Sequence, residues 1–270
     1  MGRLSYTTEE IDERLGASIN NVPLSGNKTL AQLGLAPALQ SDVTYYVSNS
    51  GSDETGDGTQ ENPFATFNHA LGLVPHGLNH YTAFLITEDE NYQMNGSLEF
   101  SGYNDGVIHI RANKITAFGL NVFYVTNCRV YLDIQEIDHA VVSTSSSTAR
   151  TISARNATIL LVNGIKLTRS SNLGTGVGFF IQERGTIVAA WHAEPRYNVV
   201  ISGYYMAFWV LTAGVYTTDA SITSEIEDGV VFGIRVFDGG QFYGKTINLA
   251  QTVRTVQEGI IIENGQLYTS

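Results

Sequence analysis

The chain has 270 residues, 43% of them hydrophobic and only 15% charged, with 27 Gly, 5 Pro and a single Cys. This composition favours an all-β body and excludes coiled coils, collagen and charged disordered tails. The formal net charge of −11 repels nucleic acid phosphates, so we expect no nucleic acid partner.

The first 42 residues differ from the rest and predict an attachment helix followed by a linker. Thr7 and Glu10 have the spacing of a capping box at a helix start. One face of this predicted helix is apolar and carries Ile11, Leu15, Ile19 and Val22. A single apolar stripe does not keep a short helix folded, so we expect the helix to dock on a partner or on copies of itself. The stretch VPLSGNKTLAQLGLAPALQ that follows is similar to segments of phage and prophage tail fibres.

Residues 43–74 predict a strand, a turn-rich loop and a short helix. The strand covers residues 43–47, and the loop SNSGSDETGDGTQ holds several glycines suited to turns. We expect Asn62 to cap the helix, Pro63 to be its first residue and Gly72 to end it. The predicted buried face carries Phe64, Phe67, Leu71 and Val74.

The same segment resembles the beginning of the pectate-lyase-like right-handed parallel β-helix found in many phage tailspikes. The matching motifs, in order, are Tyr46-Val47-Ser48, Gly51-Ser52-Asp53, Asp57-Gly58 and Pro63-Phe64-Ala65-Thr66. The resemblance implies a solenoid whose open end is covered by the short helix.

A repeat in the second half of the chain supports a solenoid. Five glycines share one local frame, namely Gly164, Gly185, Gly214, Gly240 and Gly265. The residue four positions before each is aliphatic, namely Leu160, Ile181, Val210, Val236 and Ile261. The residue two positions after each is apolar except in the first case, namely Lys166, Ile187, Tyr216, Phe242 and Leu267. Such spacings are typical of stacked turns with inward aliphatic ladders.

The fold prediction is therefore all-β, a right-handed parallel β-helix with a short N-terminal helical attachment segment and a capping helix. Residues 1–42 form the attachment helix and linker, and residues 43–270 form the β-helix domain. Within that domain, residues 43–106 hold the opening strand, the Asp/Gly loop, the capping helix and the first turns. Residues 107–270 hold the repeated turns.

One uncharged stretch, from Tyr197 to Thr218, is long enough to suggest a membrane span. Small residues interrupt it, β-branched and aromatic residues dominate it, and no basic cluster flanks it. We therefore expect buried strands here and no membrane insertion.

The sequence gives no strong metal or cofactor motif. The segment from Asp53 to Gly58 begins like an EF-hand loop, yet its twelfth position is Phe64, so Asp53 and Asp57 are only weak calcium candidates. His69, His76 and His80 lack the alignment of a zinc site. Gly-Thr-Gly-Val-Gly follows no nucleotide-binding pattern, so we expect no cofactor.

Aromatic residues cluster within one predicted turn and are candidates for contact with a glycan, because sugars stack on exposed rings. The set is Trp191, Tyr197, Tyr204, Tyr205, Trp209 and Tyr216. Core packing is the competing explanation for the same residues.

Acidic residues could instead serve a glycoside hydrolase or a polysaccharide lyase. Hydrolysis needs two carboxylates held across a sugar, and the weak candidates are Glu225, Glu227, Asp228 and Asp238. A second dense group of acid and base residues consists of Asp133, Glu136, Asp138 and His139.

The resemblance implies a virion tail fibre or tailspike subunit, assembled in the host cytoplasm and forming a homotrimer. It implies attachment to other tail or baseplate proteins through residues 1–42 and adsorption to a host surface glycan. The alternative is a polysaccharide depolymerase, although the chain leaves room for only a short solenoid.

Overall fold

The computed structural model describes residues 38–140, 149–170, 175–190, 198–218, 223–227, 230, 232–244, 246–249, 258–263 and 266–268, and two short strands at 18–19 and 22–23. One helix lies within these residues, α1 (Phe67–Gly72). The strands in the first half are β1 (Ser18–Ile19), β2 (Val22–Pro23), β3 (Val43–Tyr46), β4 (Thr82–Ile86), β5 (Tyr92–Met94), β6 (Leu98–Ser101), β7 (Val107–Ala117), β8 (Asn121–Thr126), β9 (Arg129–His139) and β10 (Arg150–Arg155). The later strands are β11 (Thr158–Val162), β12 (Ile165–Thr168), β13 (Thr175–Gln182), β14 (Thr186–Ala190), β15 (Val199–Ile201), β16 (Tyr204–Val210), β17 (Val215–Thr218), β18 (Thr223–Ile226), β19 (Phe232–Phe237), β20 (Gln241–Tyr243), β21 (Thr246–Leu249), β22 (Glu258–Glu263) and β23 (Gln266–Tyr268).

The strands from β3 onward stack in parallel as a β-solenoid of about five turns, which confirms the all-β solenoid prediction. Sheet one has seven strands in the order β22-β19-β16-β13-β10-β8-β6. Sheet two has fourteen strands. The long strands β7 and β9 of this sheet each pair with two shorter strands placed end to end. A typical turn therefore has one strand in sheet one and two in sheet two.

Apolar side chains at matching positions form ladders inside the solenoid. One ladder in sheet two runs through Val43, Ala83, Ile108, Val130, Ile159, Ile187, Tyr216 and Phe242. Its members from Ala83 to Phe242 have 0% solvent exposure. A matching ladder in sheet one consists of Leu98, Phe123, Ile152, Phe179, Phe208 and Ile234. Burial of these ladders is the main source of stability in a fold whose turns contact only their neighbours.

The repeat glycines mark a corner of the solenoid, with one correction to the predicted frame. Gly185, Gly214 and Gly240 each stand before a strand of sheet two and donate an N–H to the carbonyl three residues earlier. Gly164 instead lies at the next corner, between β11 and β12, so its place in the repeat was wrong. Ala157 takes that position, because Thr186 N–H donates to the Ala157 carbonyl as Val215 N–H does to Gly185.

The same correction extends to the flanking residues. Leu160 pairs with Val188 rather than lying in the column of Ile181, and Lys166 pairs with Glu136 and Val200. The residues two positions after the glycines pair in register from Ile187 to Leu267, as predicted. The ladder before them is confirmed for Ile181, Val210 and Val236, but it continues to Ile262 instead of Ile261. Gly265 lies outside the described residues.

Helix α1 forms, ends at Gly72 as predicted, and begins later than predicted. Its N-cap is Thr66, whose hydroxyl accepts from the His69 N–H, and not Asn62. Phe64 N–H donates to the Tyr46 carbonyl, and the Phe64 carbonyl accepts from Ser48 N–H, so this segment is bound as an extended bridge to Val47. The predicted apolar face is confirmed as buried, and it belongs to the same core as the inner ladders: Phe64, Phe67, Leu71 and Val74.

At the N-terminus, Ser18–Ile19 pairs with Val22–Pro23 as a short antiparallel ladder. The helix prediction is therefore wrong at Ile19 and Val22. The sequence between the paired residues is Asn20-Asn21, a type of dipeptide that favours two-residue hairpin connections over helix. The rest of the predicted attachment helix and most of the linker lie outside the described residues.

The uncharged stretch between Tyr197 and Thr218 contributes the buried strands β15, β16 and β17, as predicted. In the part of the chain that the structure describes, no helix is both long and apolar enough to cross a membrane.

Candidate functional site

The outward face of sheet one carries a ladder of mixed aromatic and polar side chains. We call it the outer ladder, and its register is Tyr124, Ser153, Phe180, Trp209 and Arg235. These positions alternate with the buried residues Val125, Ala154, Ile181, Val210 and Val236. Strand alternation therefore points the outer ladder away from the core.

An apolar cluster, separate from the solenoid core, forms around this ladder. Its buried members are Val177, Phe180 and Met206, and half-buried Tyr205, Trp209 and Leu211 pack against them. The Phe180 and Trp209 rings meet edge to face with centroids 5.3 Å apart. The Arg150 guanidinium lies 3.6 Å from the centre of the Phe180 ring, a cation–π contact. We call this set the outer cluster.

The predicted glycan-contacting aromatics divide between the two sides of the sheet. Tyr205 and Trp209 lie in the outer cluster and are partly exposed, whereas Tyr204 and Tyr216 have 0% exposure. A fully buried ring cannot stack on a sugar, so the prediction was wrong for Tyr204 and Tyr216. Trp191 and Tyr197 lie outside the described residues.

Tyr204 belongs to a buried polar network. Its hydroxyl lies 2.7 Å from Thr151 Oγ1 and 3.1 Å from the Thr168 carbonyl. Thr151 Oγ1 lies 2.9 Å from Nδ1 of His139, whose Nε2 lies 2.7 Å from the Gly119 carbonyl. Burial raises the pKa of Tyr204 and lowers the pKa of His139 to about 4, so both groups are neutral at pH 7.

Tyr216 is part of the aromatic core between the two sheets. Its ring centre lies 4.6 Å from that of Phe208 and 4.7 Å from that of Phe242. Its hydroxyl lies 3.1 Å from Ser224 Oγ, and burial raises its pKa. The role of Tyr216 is therefore to fill the core while satisfying its one polar atom.

A polar groove lies where successive turns leave sheet one, and we call it the corner groove. Four consecutive turns line it with the pairs Thr126–Asn127, Arg155–Asn156, Glu183–Arg184 and Thr212–Ala213. Its volume is about 580 Å³, within the range of small-molecule sites. Arg155 Nε lies 2.5 Å from Glu183 Oε2, and Asn156 Nδ2 donates to Asn127 Oδ1 at 2.7 Å.

The backbone of the corner groove is left-handed at non-glycine residues. Positive φ angles occur at Asn127, Asn156, Glu183, Arg184, Thr212 and Ala213. Asn tolerates this conformation, whereas it is unfavourable for Glu, Arg, Ala and above all for the β-branched Thr212. Hydrogen bonds between turns support it, since Asn156 N–H donates to the Glu183 carbonyl and Arg184 N–H to the Thr212 carbonyl.

A second cavity of about 510 Å³ lies beside helix α1. Its amide side chains are those of Asn49, Asn68, Gln93 and Asn95, and no residue that lines it carries a formal charge at pH 7. We call it the amide cavity.

The acidic candidates for catalysis lie on different elements. Glu225 is on β18 of sheet two, where its Oε1 accepts from Asn198 Nδ2 at 2.6 Å, and exposed Glu227 follows the end of that strand. Asp238 is exposed in the turn after β19, and its carbonyl accepts from Ala213 N–H at the edge of the corner groove. Asp228 lies outside the described residues.

The second acid and base group is explained by structural contacts. Glu136 lies between two lysines of neighbouring turns, 2.8 Å from Lys114 Nζ and 3.6 Å from Lys166 Nζ. Asp138 accepts from the Ser170 N–H and hydroxyl, and His139 belongs to the buried network. Asp133 lies 3.9 Å from Arg111.

The calcium candidates are engaged in local hydrogen bonds. Asp53 Oδ1 accepts from the N–H groups of Ala65 and Thr66 at 2.8 and 3.0 Å, and Oδ2 accepts from the Thr66 hydroxyl at 2.7 Å. Asp57 Oδ1 accepts from the N–H and hydroxyl of Thr59. Among the described residues, no three His, Cys, Asp or Glu side chains are arranged to hold a metal ion.

Sequence reasoning missed the corner groove, although the repeat contained a signal for it. The paired residues Glu183–Arg184 and Thr212–Ala213 stand directly before the corner glycines Gly185 and Gly214. In the two preceding turns, Asn127 and Asn156 stand directly before Cys128 and Ala157, which hold the same corner without glycine. Reading the residues before each corner position would have found the groove.

Comparison of the chain with protein-family models, with curated proteins and with solved structures finds no match.

Proposed function

We propose that this chain is a subunit of a phage tail fibre or tailspike that adsorbs to a glycan on the host cell surface. The observation that carries the proposal is the outward face of sheet one, where Trp209 and Tyr205 are partly exposed on β16, the strand that is followed by the groove residues Thr212 and Ala213. An aromatic face next to side-chain amides and guanidinium groups suits a ligand with both C–H faces and hydroxyl groups.

The proposal is also supported by the opening segment. The motif residues Asp53 and Thr66 are joined by hydrogen bonds, and Phe64 is bridged to Val47. Motifs that are separate in the sequence and share only the family resemblance are thus in contact in the fold. The proposal includes assembly as a homotrimer, bound to other tail proteins through residues 1–42.

Binding to an immobilised panel of bacterial capsular, O-antigen and wall polysaccharides tests the proposal. We expect the chain to bind at least one of them and Trp209→Ala to weaken binding about tenfold, the loss of one stacking contact. The matched control is Phe118→Ala, which removes an exposed ring that lies after β7 and outside sheet one. Failure to bind any polysaccharide, or equal binding by wild type and Trp209→Ala, contradicts the proposal.

The same panel distinguishes the alternative of a depolymerase. New reducing ends or unsaturated uronate absorbance after incubation would show that the polysaccharide is cleaved. The function would then be enzymatic degradation of the glycan and not adsorption alone.

Light scattering tests the trimer: we expect three times the chain mass of 29.4 kDa, and a monomer at high concentration contradicts it.

A further inference from the structure

The corner groove differs in charge from the rest of the molecule. Its lining includes Arg155, Arg184 and Glu183, a formal charge of +1, in a chain of net charge −11. A local positive site on an anionic molecule attracts anions at short range while the rest of the surface repels them.

The two arginines are held differently. Arg155 is paired with Glu183, and hydrogen bonds from its side chain to Glu183 and to Tyr124 raise the pKa of Arg155 above its ordinary value. The negative charge of Glu183 is thereby balanced by Arg155 within the groove. Exposed Arg184 makes no ion pair with any other described residue, so its guanidinium is available to an external partner.

The amides beside the arginines suit hydroxyl groups. The hydrogen bond from Asn156 Nδ2 to Asn127 Oδ1 uses one donor and one acceptor of the pair. The remaining amide N–H groups can donate to hydroxyls, and the amide oxygens can accept from them. With sheet strands about 4.8 Å apart, four turns extend the groove about 14 Å along the solenoid, enough for several sugar units.

We propose that the corner groove binds a saccharide that carries an oxyanion, a carboxylate or a phosphate, with Arg184 as the contact for the anion and Asn127 and Asn156 as contacts for hydroxyls. This inference rests on the proposed function and names its ligand class. A guanidinium forms paired, charge-assisted hydrogen bonds with either anion.

The test is an array of oligosaccharides in three arms, carboxylated, phosphorylated and neutral, probed with the full chain. We expect binding in a charged arm, about tenfold weaker binding by Arg184→Gln, and weaker binding as NaCl rises from about 50 to about 500 mM. The matched control is Arg111→Gln, which removes one exposed positive charge from sheet two and should leave binding unchanged.

Each contrary outcome has a distinct meaning. Binding in the neutral arm alone overturns this inference but leaves glycan adsorption standing, and it would direct attention to the amide cavity. Equal weakening by Arg184→Gln and Arg111→Gln overturns the assignment to the groove, because net charge alone would then explain the effect. No binding in any arm overturns both the inference and the proposed function.

Discussion

Asp53 joins the Asp/Gly loop to the start of helix α1 through three hydrogen bonds from Ala65 and Thr66. Burial alone would raise the pKa of Asp53, but these bonds outweigh it and hold the pKa below its ordinary value. We expect Asp53→Ala to lower the free energy of unfolding by roughly 1–2 kcal/mol, as for loss of a helix cap. Urea denaturation measures this. Asp57→Ala, which removes bonds to Thr59 and Asn62 within the same loop, is the control, and an equal effect of both would contradict the role of Asp53.

His139 makes the stability of the fold depend on pH. Its pKa in the folded state is about 4, whereas an unfolded histidine titrates near 6.5, so the unfolded chain binds the proton first as the pH falls. The contribution of neutral His139 to the free energy of unfolding is fully present above about pH 6.5. It is lost as the pH falls to about 4, a change of about 3 kcal/mol. We expect His139→Gln to reduce the loss of stability over this range, measured by urea denaturation at pH 7 and pH 4.

The control for that measurement is His80→Gln, whose side chain is 81% exposed. The His80 ring lies 2.9 Å from Asp105, but a surface pair of this kind contributes little, so this variant should keep most of the wild-type loss of stability between pH 7 and pH 4. A His139→Gln profile as steep as the wild type would show that other groups cause the acid sensitivity.

The corner glycines allow neighbouring turns to approach closely. A Cβ on Gly185 would lie 2.2 Å from the Ala154 carbonyl oxygen, and one on Gly214 would lie 2.7 Å from the Ile181 oxygen. Because backbone atoms cannot move aside cheaply, we expect Gly185→Ala to cost about 3 kcal/mol of unfolding free energy. Gly72→Ala, with no atom within 4 Å of its Cβ, should be neutral or slightly stabilising in denaturation experiments. A neutral Gly185→Ala would contradict the corner geometry.

The sequence predicted these elements better than it predicted their register. Parallel turns, the buried helix face and three of the five corner glycines were found from period and side-chain type. Gly164 was misplaced because a solenoid has several corners per turn, each favouring similar residues. Lys166, the one polar member of its ladder, already indicated the error. Helix α1 began late because distant contacts, from Tyr46 to Phe64 and from Asp53 to Thr66, override the local preference of Asn62 and Pro63.

The candidate site was predictable only in part, for a similar reason. Tyr204 and Tyr205 are neighbours in one strand, yet one is fully buried and the other is partly exposed. Which face is buried depends on the pairing of whole turns, and β16 also packs two consecutive residues, Ala207 and Phe208, into the core. Simple alternation therefore fails within the strand.

At the scale of the whole molecule, the candidate surface exists only because turns are stacked. Each of four turns contributes two residues to the corner groove, and successive turns contribute Tyr124, Ser153, Phe180 and Trp209 to the outer ladder. No single turn carries a complete site. A solenoid thus converts a sequence repeat into a continuous binding surface.

Adsorption to a surface glycan is tested by binding of the fluorescently labelled chain to a panel of bacterial cells, before and after periodate treatment. Periodate cleaves vicinal diols and so destroys many surface glycans while leaving the cell envelope in place. We expect the chain to bind cells of at least one strain, periodate to abolish this binding, and Trp209→Ala to weaken it. Binding that survives periodate on every strain, or no binding to any strain, would rule out adsorption to a glycan.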